Sequence, residues 1–263
     1  KEKPHYYRRF YIRRTLRIFP LYYLALCIAF WVWPRLFPGP SSLLYAVDAN
    51  QPWYWLYASN WLFVKEGTYL GLAHFWSLAI EEQFYLLWPA VVALVPRERL
   101  AAVCAWCFAA SLALRAALAY GGVDVMIVYV LTPARFDSLA LGAFVAAALR
   151  QKGGPERLQR AAAWLGPLSL GTLAVMVAVG GDSGRTHLLM TVGVSLVGVM
   201  SAAFVIWAVL QPQDGLARRV FELAPLRWLG FYAYALYVFH PFVQDALERA
   251  WKAAQDILVS RRP

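Results

Sequence analysis

The chain has 263 residues, 61% of them hydrophobic and only 15% charged, with a formal net charge of +10. A soluble domain carries about 25% charged residues, so this composition excludes an ordinary water-soluble enzyme. A basic excess could suit nucleic acid, but here Lys and Arg gather between apolar runs; nucleic acid is excluded as a partner, and a bilayer and its lipids are indicated.

In chain order, residues 1–17 hold seven Lys or Arg and read as a cytoplasmic basic segment. They are too polar for a signal peptide and start without Met, which reads as an internal start. Residues 18–37 are predicted as the first membrane helix, with Pro20 in its first turn and Pro34 ending it. Residues 39–73 form a long aromatic connection, interfacial or re-entrant. Further helices are predicted over 75–95, 100–120, 133–149, 161–179, 187–210 and 226–243, with a glycine-rich turn before the sixth. A basic amphipathic tail follows from Gln244. The predicted fold class is an all-α, polytopic membrane bundle with at least seven spans: one domain with its membrane core over 18–243 and its tail over 244–263. With the N-terminus cytoplasmic, the loops 1–17, 96–99, 150–160 and 211–227 carry seven, two, four and three Lys or Arg. The opposite connections carry only Arg35, Lys65, Arg135 and Arg185, a bias that satisfies the positive-inside rule.

Chemistry concentrates at residues 74–89, where His74, Ser77, Glu81 and Glu82 stand at the mouth of an otherwise uncharged run. A carboxylate at membrane depth costs about 2.5–3.5 kcal/mol on insertion scales, so it needs hydration, a partner or a proton. At helical spacing Ser77, Glu81 and Tyr85 share a face, and Glu82 points about 100° away. The two carboxylates should therefore differ. Glu81 is expected to be buried against Arg135 or a residue of an upstream helix, with His74 at the same mouth; Glu82 could instead be an interfacial anchor. Arg14 and Arg17 lie three apart, suited to a phosphate, although any cytoplasmic flank is basic. Arg135 and Asp137 are either a mutually neutralised pair or part of the site. His240 lies deep in an apolar run before Pro241, as a packing residue or a functional one. Cys27, Cys104 and Cys107 all lie in apolar runs and read as packing. The four His are far apart, no HExxH or GxSxG occurs, and no metal site is predicted.

Four segments, in order, resemble one family. Residues 8–23 (RRFYIRRTLRIFPLYY) resemble the basic loop and following helix of acyltransferase family 3. Residues 74–89 resemble its WSLxxEExFYLxxP signature, 135–142 its RxDxLxxG segment, and 229–241 its LGxxSYxLYLxH segment, with Tyr232 or Ala233 where the family often has Ser. The family consists of integral membrane proteins that O-acylate sugars. The resemblance implies a donor acyl-CoA, usually acetyl-CoA, held by Arg14 and Arg17 on the cytoplasmic side, with no permanently bound cofactor. It implies a carbohydrate acceptor near His74, Glu81 and Glu82 as catalytic candidates, with Ser77, Arg135, Asp137 and His240 as substrate-side candidates. Family members begin with two further membrane helices, the first bearing a basic residue and an essential histidine; this chain lacks both, and His5 does not match that motif. A non-catalytic membrane protein, either a transporter or an inactive scaffold, is the alternative, although no paired broken helices are found.

Overall fold

The structure is a computed structural model, and it describes residues 5–38, 42–44, 46–179, 187–212 and 214–260. Among these residues every regular element is helical. Helix α1 (Tyr6–Cys27) continues through a π-turn (Ile28–Val32) into a last α-turn (Trp33–Leu36). It therefore begins at Tyr6, well before the predicted start at residue 18. From Tyr6 to Arg17 the basic stretch contains no Gly or Pro, and Arg is a good helix former, so charge does not stop the helix. Pro20 consequently sits in mid-helix, not in a first turn, and Pro34 opens the final turn instead of ending the element.

The connection that follows holds α2 (Gln51–Trp55) and α3 (Ser59–Glu66). Then come α4 (Phe75–Leu94), α5 (Arg97–Tyr120), α6 (Val125–Val130) and α7 (Thr132–Ala148). Helix α8 (Gly154–Val179) takes up most of the predicted polar loop. The predicted glycine-rich turn at 180–186 lies outside the described residues. A π-turn (Leu189–Gly193) leads into α9 (Val194–Val209), followed by the short α10 (Leu216–Phe221). Helix α11 (Ala224–Ser260) is a single element of 37 residues. The predicted break at residue 244 is absent because Gln, Asp, Ala, Leu, Glu, Arg and Lys there are mostly good helix formers.

Among the described residues, four helices are long and apolar enough to cross a membrane: Tyr6–Leu36, Arg97–Tyr120, Gly154–Ala178 and Leu189–Val209. The expected seven would add α4, α7 and α11. Of these, α4 carries Glu81, Glu82 and Gln83, α7 has 17 residues, and α11 carries several charges.

Contacts set the packing directions. Tyr11 Oη donates to Leu86 O, Arg14 pairs with Glu82, and Tyr22 packs on Phe75 at 4.8 Å, so α1 and α4 are antiparallel. Tyr234 Oη donates to Ile18 O and Trp33 Nε1 to Asp245 Oδ2, so α11 runs parallel to α1. Helix α5 packs along α7, and α8 along α9. In a bilayer the lipid is as apolar as the core, so van der Waals packing and polar bonds must hold helices together.

The connection of residues 39–73 supplies much of both. Its Tyr54, Leu62, Phe63 and Leu72 are buried in the same cluster as Tyr22, Leu26 and Phe75. Tyr22 stacks on Tyr57 at 3.9 Å and donates to Tyr54 O at 2.7 Å. Asn60, Gln83 and Thr132 close a polar ring: Asn60 Nδ2 donates to Thr132 Oγ1, Thr132 Oγ1 to Gln83 Oε1, and Gln83 Nε2 to Asn60 Oδ1. The ring ties α3, α4 and α7 together and satisfies groups that are costly when left unpaired. Tyr57 and Leu72 hold φ of 53° and 55°, sparsely populated for side-chain-bearing residues. Both flank the site described next.

Candidate active site

His74 is the last residue of the connection before α4 and points at α11. Its Nε2 donates to Val238 O at 3.2 Å, which fixes the tautomer and leaves Nδ1 with its lone pair. The Ser77 and Tyr237 hydroxyls both lie 3.0 Å from His74 O and next to each other; with one proton apiece, at least one donates to that carbonyl and the other donates either to it or to its neighbouring hydroxyl. His240 lies with its ring 5.1 Å from that of His74. It lies within α11, as expected, and its side chain is accessible. The local reason is Pro241. With no N–H to give, Pro241 leaves the carbonyl four residues back, that of Tyr237, without its helical partner, and His240 Nδ1 donates to it at 2.7 Å. Both rings wall a cavity of about 250 Å³ together with Leu43, Gly71, Gln244 and Glu248. Burial pushes the His74 imidazole down to about 4, helped by neighbouring His240 and opposed by the Val238 carbonyl. His74 is therefore neutral near pH 7, with Nδ1 bare.

Glu81 and Glu82 are not at that mouth. Eight residues of helix separate His74 from Glu82, about 12 Å along α4. There Arg14 of α1 meets them: its Nη2 is 3.1 Å from Glu82 Oε1 and 4.0 Å from Glu81 Oε2, and its guanidinium lies 3.0 Å above the Tyr85 ring. The expected inequality of the carboxylates holds, with the assignment reversed. Glu82 is the enclosed, paired one, with 14% of its side chain exposed, and Glu81 is the open one at 45%. The predicted contact of Glu81 with Arg135 does not form. The Arg14 and Arg17 pair is split as well, since Arg14 is engaged with α4 and Arg17 is exposed. Arg14, Tyr57, Glu82, Gln83 and Tyr85 border a second cavity of about 220 Å³. The buried Tyr57 hydroxyl has no hydrogen-bond partner among the described residues.

Arg135 and Asp137 do not neutralise each other. Asp137 pairs with Arg115, 2.7 Å away, and both side chains are fully buried. Arg115 also donates to Thr191 O, Ala134 O and Ser195 Oγ, and Ser195 donates to Asp137. This cluster joins α5, α7 and the π-turn into α9. Sequence reasoning passed over Arg115, although a lone charge within an apolar helix is itself the signal that a buried partner exists. Arg135 instead faces the rings of Tyr129 at 4.8 Å and Trp76 at 5.8 Å. Among the described residues no group of three or more His, Cys, Asp or Glu could hold a metal ion, and Cys104 and Cys107 are free thiols.

The family described as acyltransferase domain, Acyl_transf_3, matches residues 1–259. The chain belongs to acyltransferase family 3. YrhL of Bacillus subtilis (strain 168), named a "putative peptidoglycan O-acetyltransferase", is 30% identical over 252 residues, covering 89% of this chain and 39% of that protein. The peptidoglycan O-acetyltransferase OatA of Listeria monocytogenes is 27% identical over 279 residues, covering 94% of this chain and 42% of OatA. The chain thus spans about two fifths of the length of these relatives. No solved structure matches.

The fold sorts the signature segments of acyltransferase family 3 by location. The late segment on α11 brings Tyr237 and His240 to His74, and the first segment on α1 brings Arg14 to Glu82. The third segment supplies both Asp137, locked into the bundle, and Arg135, which borders a separate groove.

Proposed function

We propose that the chain is the membrane core of an O-acyltransferase that moves an acyl group, by preference acetyl, from a cytoplasmic acyl-CoA to a hydroxyl of an extracytoplasmic carbohydrate. It spans a bacterial cytoplasmic membrane seven times, with α4, α7 and α11 completing the set and the N-terminus inside, as the Lys and Arg bias favours. The observation that carries the reading is the polar face of α4. It ends at a histidine-lined cavity at one level and at an Arg–carboxylate cavity about 12 Å away, nearer the basic end of α1.

In this reading exposed Arg17 meets the phosphates of the donor, and Arg14, held by Glu82 and Tyr85, borders the path of its thioester arm. The acceptor hydroxyl enters beside His74 and His240. Its oxygen attacks the thioester carbonyl carbon, the carbon–sulfur bond breaks, and the thiolate leaves with CoA. The hydroxyl proton moves towards the bare Nδ1 of His74. Glu81, open beside Arg14, orients the reacting groups between the two cavities.

The carboxylates test this division of roles in the natural protein. Glu81→Gln is expected to lower acyl transfer by roughly 10²-fold, with an unchanged thermal midpoint. Glu82→Gln should instead lower the midpoint, because Arg14 loses its closest counter-charge at a part-buried position. The reverse pattern would assign the chemistry to Glu82, and full activity in both variants would return the pair to an anchoring role.

A further inference from the structure

We propose that the groove between α7 and α9 is a binding site for one anionic phospholipid, its phosphate on Arg135 and an acyl chain lying along the two helices. The groove has a volume of about 470 Å³ and is separate from both cavities assigned to acyl transfer. Arg135 borders one end of it, one turn into α7. Its Nη1 is buried and has no hydrogen-bond partner among the described residues. The neighbouring carboxylate is unavailable, because Asp137 Oδ2 is taken by Arg115 and Ser195. A buried guanidinium N–H without a partner calls for an acceptor, and phosphate suits its forked geometry. The Tyr129 and Trp76 rings beside the guanidinium hold the fork in place and supply no anion.

Apart from the Ser138 and Ser201 hydroxyls, the rest of the lining is apolar or aromatic. Helices α7 and α9 run parallel, with Asp137 beside Ser195 and Val145 beside Ile206. Gly142 and Val145 line one side, and Val194, Val197 and Val205 the other. Ten residues of helix separate Arg135 from Val145, about 15 Å. That is half of the roughly 30 Å hydrocarbon thickness, so a head at Arg135 places a single chain within one leaflet. A Cβ added at Gly142 would meet nothing within 4 Å, so the bare backbone there opens onto the groove. A cation at the interfacial end of a leaflet-deep apolar slot, open to the lipid, is complementary to a phosphate head with a hydrocarbon tail. A sugar would find only the Ser138 and Ser201 hydroxyls along the valine-lined part, too few for its many polar groups.

Delipidated full chain in a neutral detergent can be titrated with phosphatidylglycerol and with diacylglycerol of the same chains, and bound lipid counted by native mass spectrometry. The wild type should retain one phosphatidylglycerol, bound about ten-fold or more tighter than diacylglycerol, as expected for a charge-assisted hydrogen bond. Arg135→Gln should remove that preference, and Arg135→Lys should keep part of it. Gly142→Leu, which fills the slot, should weaken both lipids alike. Equal binding of phosphatidylglycerol by wild type and Arg135→Gln, or no effect of Gly142→Leu, would overturn the proposal. So would displacement of the lipid by a phosphate-free saccharide, which would give the groove to the acceptor. None of these readouts depends on acyl transfer, so they stand whether or not the proposed reaction does.

Discussion

Arg115→Met is expected to destabilise the bundle by about 3–5 kcal/mol, the cost of leaving one member of a buried ion pair without its partner. The change strands the Asp137 carboxylate, which is fully buried together with Arg115 and would keep only neutral partners, the Ser195 and Ser138 hydroxyls and the Ser138 N–H. It also frees the carbonyls of Thr191 and Ala134, each of which now receives an Arg115 N–H. A low yield of folded protein, or a thermal midpoint lowered by many degrees in detergent, is the direct readout. Arg115→Lys should rescue only part, because a single ammonium lacks the rigid fork that reaches four differently placed acceptors. Combining Arg115→Met with Asp137→Asn should recover much of the loss, since no buried charge then remains. A double variant worse than the single one would show that the pair is not what holds α5 to α7 and α9.

His74→Ala is expected to lower kcat/KM for acyl transfer by about 10²- to 10⁴-fold, the range for loss of a positioned proton acceptor. Folding should be little affected, since its ring gives only one hydrogen bond, to Val238 O. His240→Gln should cost less, because the His240 ring borders the cavity and bonds the carbonyl that Pro241 leaves free. The pH profile separates His74 from other bases. Its imidazole is held down to about 4 by burial, so Nδ1 stays bare well below neutrality. Wild-type kcat/KM should therefore hold through pH 6 and fall only near pH 4, whereas an ordinary histidine would give an acid limb near 6.5. An acid limb at 6–7 would assign the proton transfer to another group.

What the sequence made legible and what it did not follow from the range of the interactions. Helix α4 was readable because its apolar run, its carboxylates and the following Pro96 are local signals. The start of α1 was misplaced because seven Lys or Arg suggest a loop by polarity, although the same residues are sound helix formers. The site needed pairings that no periodicity encodes. His74 and His240 are 166 positions apart, and Arg14 and Glu82 are 68 apart. Same-face reasoning on α4 placed Ser77, Glu81 and Tyr85 correctly relative to one another, yet could not tell which carboxylate α1 would reach. Pairing Arg135 with Asp137 by proximity failed for the same reason. Two residues apart on a helix points side chains in different directions, and the true partner lay on α5. One local signal was available and unused: proline after His240 frees a carbonyl four residues back, which holds that ring at the surface.

The central claim, transfer across the bilayer between two separate cavities, has a direct test. Inside-out membrane vesicles containing the natural protein can be loaded with a glycan acceptor in the lumen and given labelled acetyl-CoA outside. The account predicts that label accumulates on the lumenal glycan, and that the signal is lost with His74→Ala in membranes of equal protein content. Label found only on glycan supplied to the same side as acetyl-CoA would contradict it.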